Sequence, residues 1–222
     1  MIRIENVVLG MCATNCYAVF DGGVKTPGGY ADDGVVKDAV IIDPAAEASR
    51  IEAMLARYNL RPVAILLTHG HFDHMLAADE LRKRYNIKVY AGENERGVMT
   101  DENKNLSMPF TGTGMKLEAD VYFKPGEELA FAGFKIRTIS VPGHTIGSVC
   151  YYFEKQKTLF SGDTLFAGSV GRSDFPTGNA SQLNNTIKAE LLSLPDDVQV
   201  YPGHGESTTI GYERVNNPFV GS

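Results

Sequence analysis

The sequence predicts a mixed α/β fold whose strands end in polar turns. Three observations carry that prediction. Strand and helix patterns alternate from residue 39 to residue 90. The second half is rich in short strands and holds one clear helix. All five histidines, His69, His71, His74, His144 and His204, follow an apolar run and stand beside Gly or Asp.

Taken in order, residues 2–20 read as two strands separated by Ala13-Thr14-Asn15, the second being Cys16-Tyr17-Ala18-Val19-Phe20. Asp21 to Lys37 is rich in Gly and Asp around Pro27-Gly28-Gly29, a loop or loose hairpin. Ala39-Val40-Ile41-Ile42 is a strand. Asp43-Pro44 then offers an N-cap and a proline at the first helical position. Ala48, Ile51, Leu55 and Tyr58 share one face of that helix, which should pack on a sheet. Pro62 is expected to end it. The apolar run Val63-Ala64-Ile65-Leu66-Leu67 reads as a buried strand. Leu76, Ala77, Leu81 and Tyr85 mark a second helix, and Ile87-Lys88-Val89-Tyr90 the next strand. This alternation argues for an α/β arrangement.

Glu93 to Met99 suits a short helix. Asn103 to Gly114, with Pro109, reads as a long loop, uncommon unless it covers a site or moves. The second half is expected to begin near Leu117. Its strand candidates are 121–123, 128–131, 135–141, 148–153, 158–160 and 198–201. Leu183, Ile187 and Leu191, four apart, predict a helix from Ser181 to about Ser193, with Pro195 beyond its end. A last short helix is expected over about Thr209 to Val215. No linker or repeat interrupts the chain, so residues 1–222 are expected to form one domain of two similar halves, about 1–115 and 116–222.

Composition excludes several functions. With 43% apolar and 22% charged residues, the 222-residue chain can build a sizeable core. A net charge of −6 and the lack of a basic stripe argue against nucleic acid as a partner. No apolar run approaches the roughly 20 residues needed to cross a bilayer. Met1 is followed at once by strand-like Ile2-Arg3-Ile4, so no signal peptide is expected. Cys12, Cys16 and Cys150 lack paired zinc-ligand spacing and read as reduced thiols of a cytoplasmic protein.

Four strand ends present ligand-type groups. The run ending at Leu67 leads into Thr68-His69-Gly70-His71-Phe72-Asp73-His74. Ile136 to Val141 leads into Pro142-Gly143-His144, Thr158 to Ser161 into Gly162-Asp163, and Val198 to Tyr201 into Pro202-Gly203-His204. His69 and His71 are two apart, so an extended segment points both the same way. Asp73 and His74 are neighbours and must point elsewhere. One set can therefore bind one metal and the other a second, with a carboxylate such as Asp163 bridging. A pair of ions about 3.5–4 Å apart clamps a hydroxide between them. The alternative is one ion, with Asp73 or His74 only supporting its ligands from behind. His and Asp ligands without thiolate suit zinc, iron or manganese.

These residues are where the chain resembles the metallo-β-lactamase-fold hydrolases. The pattern His-X-His-X-Asp-His, then His, Asp and His, is met by residues 69–74, His144, Asp163 and His204. The resemblance implies an α+β fold, a four-layer αβ/βα sandwich of two mixed β-sheets flanked by helices. It also implies two divalent metal ions, zinc first with iron or manganese as alternatives. His69, His71 and His144 would hold one, Asp73, His74 and His204 the other, and Asp163 would bridge. Ser161-Gly162-Asp163-Thr164-Leu165-Phe166, Gly171-Arg172-Ser173-Asp174-Phe175 and Pro202-Gly203-His204-Gly205-Glu206-Ser207-Thr208 look like the short, single-domain members of the glyoxalase II-related branch. That likeness implies hydrolysis of a small thioester such as S-lactoylglutathione by a metal-activated hydroxide, with Asp73 orienting the water and shuttling its proton. Arg172 matches a basic position that holds the glycine carboxylate of glutathione in full-length members. The chain departs from them at Asp174, where they carry an aromatic residue. About 18 residues follow His204 in this sequence, so their C-terminal helical domain is not expected here.

A rival enzyme class, the mononuclear non-haem iron persulfide dioxygenases, also resembles the chain at the first motif and at Gly171 to Phe175. Its facial set would be His69, His144 and Asp163. Pro202-Gly203-His204-Gly205 favours the hydrolase. A nuclease is disfavoured by the acidic charge, and a non-catalytic protein by the complete ligand set.

Overall fold

The computed structural model describes residues 1–23, 25–26, 29–30 and 34–221. Two six-stranded mixed sheets lie face to face, with helices on both outer faces. The first sheet runs in the order Ile2–Leu9, Thr14–Asp21, Lys37–Ile42, Leu60–Leu66, Lys88–Gly92, Val121–Phe123. The second runs Thr208–Thr209, Gln199–Pro202, Thr158–Gly162, Val149–Phe153, Phe134–Ser140, Glu128–Phe131. The α+β four-layer sandwich is thus the fold observed.

Strand alternation builds the layers. Cys16, Ala18 and Phe20 face the helix Ala48–Arg57, with Ile51 and Leu55, and the helix Ala78–Tyr85, with Leu81. Tyr17 and Val19 point the other way, to Phe134, Ile136, Tyr151, Phe153 and Phe160 of the second sheet. On that sheet's outer face Ile139, Cys150, Tyr152 and Leu159 meet Leu183, Ile187 and Leu191. A residue pattern of period two therefore fills three separate apolar interfaces.

Several expectations change. Asp43 does not cap a helix: its φ is +50°, and the helix starts at Ala48. The carbonyls of Pro44 and Ala45 instead accept from the amides of Ala77 and Leu76. Pro62 lies inside the strand Leu60–Leu66, where the register to the neighbouring strand shifts, as a residue without an N–H requires. Thr14 and Asn15, expected in a spacer, open the second strand. The helix expected from Leu76 is two pieces, Phe72–Met75 and Ala78–Tyr85. Part of the expected loop from Asn103 to Gly114 is the helix Ser107–Thr111. Val121–Phe123, expected in the second half, pairs parallel with Lys88–Gly92 and ends the first sheet. Lys25–Thr26 pairs antiparallel with Gly29–Tyr30; Pro27 and Gly28, expected in a loop or loose hairpin, lie outside the described residues. The helix expected near Ser181 runs Ala180–Thr186, capped by the Asn179 side chain, into a π-helical turn Ile187–Leu191.

The two sheets are joined beside the polar turns. Val149 N donates to Thr68 O at 2.9 Å, Asn15 N to Gly203 O at 2.7 Å, and the buried Tyr151 hydroxyl to Leu67 O at 2.7 Å. Tyr151→Phe is expected to lower metal-free stability by about 1–3 kcal/mol, since it strips a buried carbonyl of that donor. Urea unfolding should show a lower midpoint at unchanged slope.

Candidate metal centre

The strand Leu60–Leu66 delivers Thr68, whose N–H and hydroxyl both bind the Asp43 carboxylate, at 2.8 and 2.7 Å. His69 follows in a bend, and His71 in extended backbone. His71 precedes the short helix Phe72–Met75, and that change of direction turns Asp73 and His74 to a different side. Gly70 between them must be Gly: a Cβ there would lie 2.7 Å from Met99 Cγ and 2.9 Å from Glu95 Oε2.

Three nitrogens converge on one point. His69 Nε2 and His71 Nδ1 are 3.1 Å apart, His144 Nε2 and His69 Nε2 3.2 Å, and His144 Nε2 and His71 Nδ1 2.9 Å. Tetrahedral bonds of about 2.0–2.1 Å give an edge of about 3.3 Å, so these atoms have the spacing of one face around a zinc-sized ion. Burial, with neighbouring imidazoles, holds His69 well below the ordinary histidine value. Burial likewise lowers His71 and His144. All three therefore present lone pairs.

Asp73, His74 and His204 form a second set. His204 Nε2 lies 3.5 Å from Asp73 Oδ2, and His74 Nε2 3.7 Å from it. Asp163 reaches both sets: Oδ1 is 3.3 Å from His74 Nε2, and Oδ2 is 3.3 Å from His204 Nε2 and 3.7 Å from His144 Nε2. His74 Nε2 and Asp163 Oδ1 are buried without a hydrogen-bond partner, the expected state of atoms meant for a cation. Burial opposes charge on His74 and His204, yet the surrounding carboxylates hold both above the ordinary value. Burial also opposes charge on Asp163, and His74 and His204 outweigh it, keeping Asp163 well below the ordinary carboxylate range. Positive charge is thus demanded at this point, and the donor set fits two divalent ions.

The ring nitrogens facing away are anchored. His69 Nδ1 meets Thr68 Oγ1 at 3.1 Å, and His74 Nδ1 meets Asp43 Oδ2 at 2.9 Å. His144 Nδ1 meets the Arg172 carbonyl at 2.6 Å, and His204 Nδ1 the Cys12 carbonyl at 3.1 Å. Were Nε2 to hold a metal, each Nδ1 would carry the hydrogen and donate it, which would fix ring orientation. His71 instead turns Nδ1 toward the other two imidazoles, and its buried Nε2 has no hydrogen-bond partner. Asp73 Oδ2 accepts from Thr14 Oγ1 at 2.8 Å.

Three residues of this arrangement escape sequence reading: Thr14, Asp43 and Glu95. Asp43 does carry a signal, because it ends an apolar strand as the ligands do. Glu95 and Thr14 carry none.

The sets open into a cavity of about 420 Å³. Leu106, Phe110, Phe166, Val170 and Phe175 form its apolar wall, so residues 106 and 110 of the expected loop do border the site. Arg172 lines the rim. Its Nε donates to Asp174 Oδ1 at 3.0 Å and its Nη2 to Oδ2 at 2.7 Å, with the guanidinium 4.0 Å from the Phe175 ring centre.

A profile of the Metallo-beta-lactamase superfamily matches residues 30–204. The chain is 38% identical over 188 residues to the Bacillus subtilis protein described as "Probable metallo-hydrolase YqgX", covering 82% of this chain and 86% of that one. It is 37% identical over 193 residues to "Hydroxyacylglutathione hydrolase GloC" of Haemophilus influenzae, covering 84% and 89%. Among solved structures, BLEG-1 B3 metallo-beta-lactamase superposes with a TM-score of 0.88 at 37% identity, over 99% of this chain and 100% of that one. TTHA1623 in a di-iron-bound form superposes with a TM-score of 0.79 at 34% identity, over 97% and 99%.

Proposed function

The chain belongs to the metallo-beta-lactamase superfamily, and from that premise we propose that it is a dinuclear metallohydrolase cleaving a small thioester, with S-lactoylglutathione a candidate substrate. The observation that carries this reading is the placement of Asp163 between two ligand sets, His69, His71 and His144 on one side, Asp73, His74 and His204 on the other. The relative described as a hydroxyacylglutathione hydrolase supports the thioester, and the di-iron form of a similar chain supports two ions. Zinc is the first candidate metal, and iron or manganese suit the same donors.

Two divalent ions held there would make hydroxide available near neutral pH and polarise a carbonyl oxygen. The protein's own groups do the rest. Asp73, steadied by Thr14, orients the attacking water and takes up its proton. The wall of Leu106, Phe110, Phe166, Val170 and Phe175 excludes bulk water and packs the acyl group. A thiolate leaves readily, so no acid is required at sulfur. Arg172 at the rim serves as the substrate-binding cation, exchanging Asp174 for a substrate carboxylate. Such an exposed pair is worth about 1 kcal/mol or less, so the exchange is inexpensive. The reading places the enzyme in the cytoplasm, with Cys12, Cys16 and Cys150 as free thiols. No helix among the described residues is long and apolar enough to cross a membrane.

A steady-state screen of S-acyl thioesters beside metal analysis tests the proposal. Two ions per chain and thioester turnover are expected. His71→Ala should abolish that turnover in a folded protein. One iron per chain with oxygen uptake on glutathione persulfide would instead establish the dioxygenase.

A further inference from the structure

We infer that Glu95 is a positioning residue for the three-histidine half-site, its carboxylate setting the spacing between the His69–His71 turn and the His144 turn. The inference rests on the two-ion reading above. Glu95 is 0% exposed, in the 3-10 turn Glu93–Glu95 behind the site. One oxygen, Oε2, accepts from Gly70 N at 2.7 Å. The other, Oε1, accepts from Thr145 Oγ1 at 2.6 Å and Gly147 N at 2.7 Å. Gly70 lies between His69 and His71, and Thr145 follows His144. A single carboxylate therefore ties the turn after the strand Leu60–Leu66 to the turn after Phe134–Ser140, one from each sheet.

Both turns are thinned to approach it. A Cβ on Gly70 would lie 2.9 Å from Glu95 Oε2, and one on Gly147 would lie 2.4 Å from Glu95 N. The three hydrogen bonds come from neutral donors, two amides and a hydroxyl. Burying a carboxylate among neutral groups is costly, and a packing role alone would be met by an apolar side chain. What only a carboxylate supplies is an acceptor on both sides. Glutamine offers one oxygen, so its amide NH₂ must confront either Gly70 N–H or the Thr145 and Gly147 donors. His74 and His204 lie outside this clamp and are held by Asp43 and by Cys12 O.

The test measures zinc binding by competition with a chromophoric chelator, and the absorption of the cobalt-substituted protein, in the wild type, Glu95→Gln, Thr145→Val and Thr145→Ser. Replacing groups that orient metal ligands lowers affinity about 10- to 100-fold, and Glu95 acts one residue removed, so a loss of about tenfold is expected in Glu95→Gln. The loss should fall on the three-histidine set alone, with the cobalt bands of the Asp73, His74 and His204 set unchanged. Thr145→Val should weaken the same set, and Thr145→Ser, which keeps the hydroxyl, should restore it. Equal weakening of both sets, or of neither, would overturn the inference. Should Glu95→Gln not fold, the Thr145 pair decides by the same readout. A wild type that binds one zinc ion sinks the two-ion reading, while Glu95→Gln still reports whether that ion is loosened.

Discussion

Replacement of Asp163 by alanine is expected to lower thioester turnover by at least about a thousandfold, because without its metals an active site loses the shift of water's pKa from 15.7 to about 7. Among the described residues, Asp163 is the one carboxylate within 3.7 Å of all three of His74, His144 and His204. Its removal takes an anionic ligand from both sets at once and leaves the imidazoles of His74 and His204 facing each other without it. Metal content should fall below two ions per chain, and added zinc should not restore the rate. Circular dichroism should remain that of the folded protein, since the three apolar interfaces do not include this residue. Turnover within tenfold of wild type would show that the site is assigned wrongly.

The second large effect is expected at Asp43, which belongs to neither candidate ligand set. Its Oδ1 accepts from Thr68 N, and its Oδ2 accepts from both Thr68 Oγ1 and His74 Nδ1. Thr68 Oγ1 in turn faces His69 Nδ1. Through this chain one carboxylate, 2% exposed, orients a ligand of each set. In Asp43→Asn the amide NH₂ must confront either the Thr68 N–H or the two donors on the other side. Metal affinity should drop about 10- to 100-fold, with turnover following. Metal-free stability should fall by about 1–3 kcal/mol, the cost of a buried donor left unpaired. Chelator competition and urea unfolding measure the two effects separately. Loss of stability with unchanged affinity would reduce Asp43 to a structural brace. The contrast with Glu95 is informative, because Glu95→Gln should loosen only the three-histidine set and Asp43→Asn both.

Much of this site is legible from sequence because its chemistry repeats locally. His69, His71, Asp73, His74, His144, Asp163 and His204 each follow an apolar run through a short turn, and the structure brings all seven together. Strand candidates such as 128–131 and 198–201 fall within one residue of the observed Glu128–Phe131 and Gln199–Pro202, since period-two burial is written along the chain. Helix starts are less legible. Asp43-Pro44 has the composition of a cap, yet the Asp43 carboxylate binds Thr68, 25 residues away, and the carbonyls of Pro44 and Ala45 accept from the amides of Ala77 and Leu76, between two later helices. Tertiary hydrogen bonds there override local propensity. The stretch around Ser107–Thr111 looks like a loop because, beside a single buried leucine, Leu106, its buried residues Asn105 and Ser107 are polar. Asn105 donates to the carbonyls of Met99 and Met115, so side-chain bonds replace the apolar face that a pattern search needs.

Ligand chemistry and strand period are properties of neighbouring residues, so the amino-acid order alone specifies which atoms could hold metals and the order in which strands present them. It took the packed sheets to show that Val121–Phe123 closes the first sheet, that Asp43 and Glu95 are buried braces, and that an apolar wall stands over the candidate metal site. These choices pair groups such as Glu95 and Gly147, 52 residues apart. A buried carboxylate takes whichever donors the packed sheets bring within 3 Å, and no local pattern records which those are.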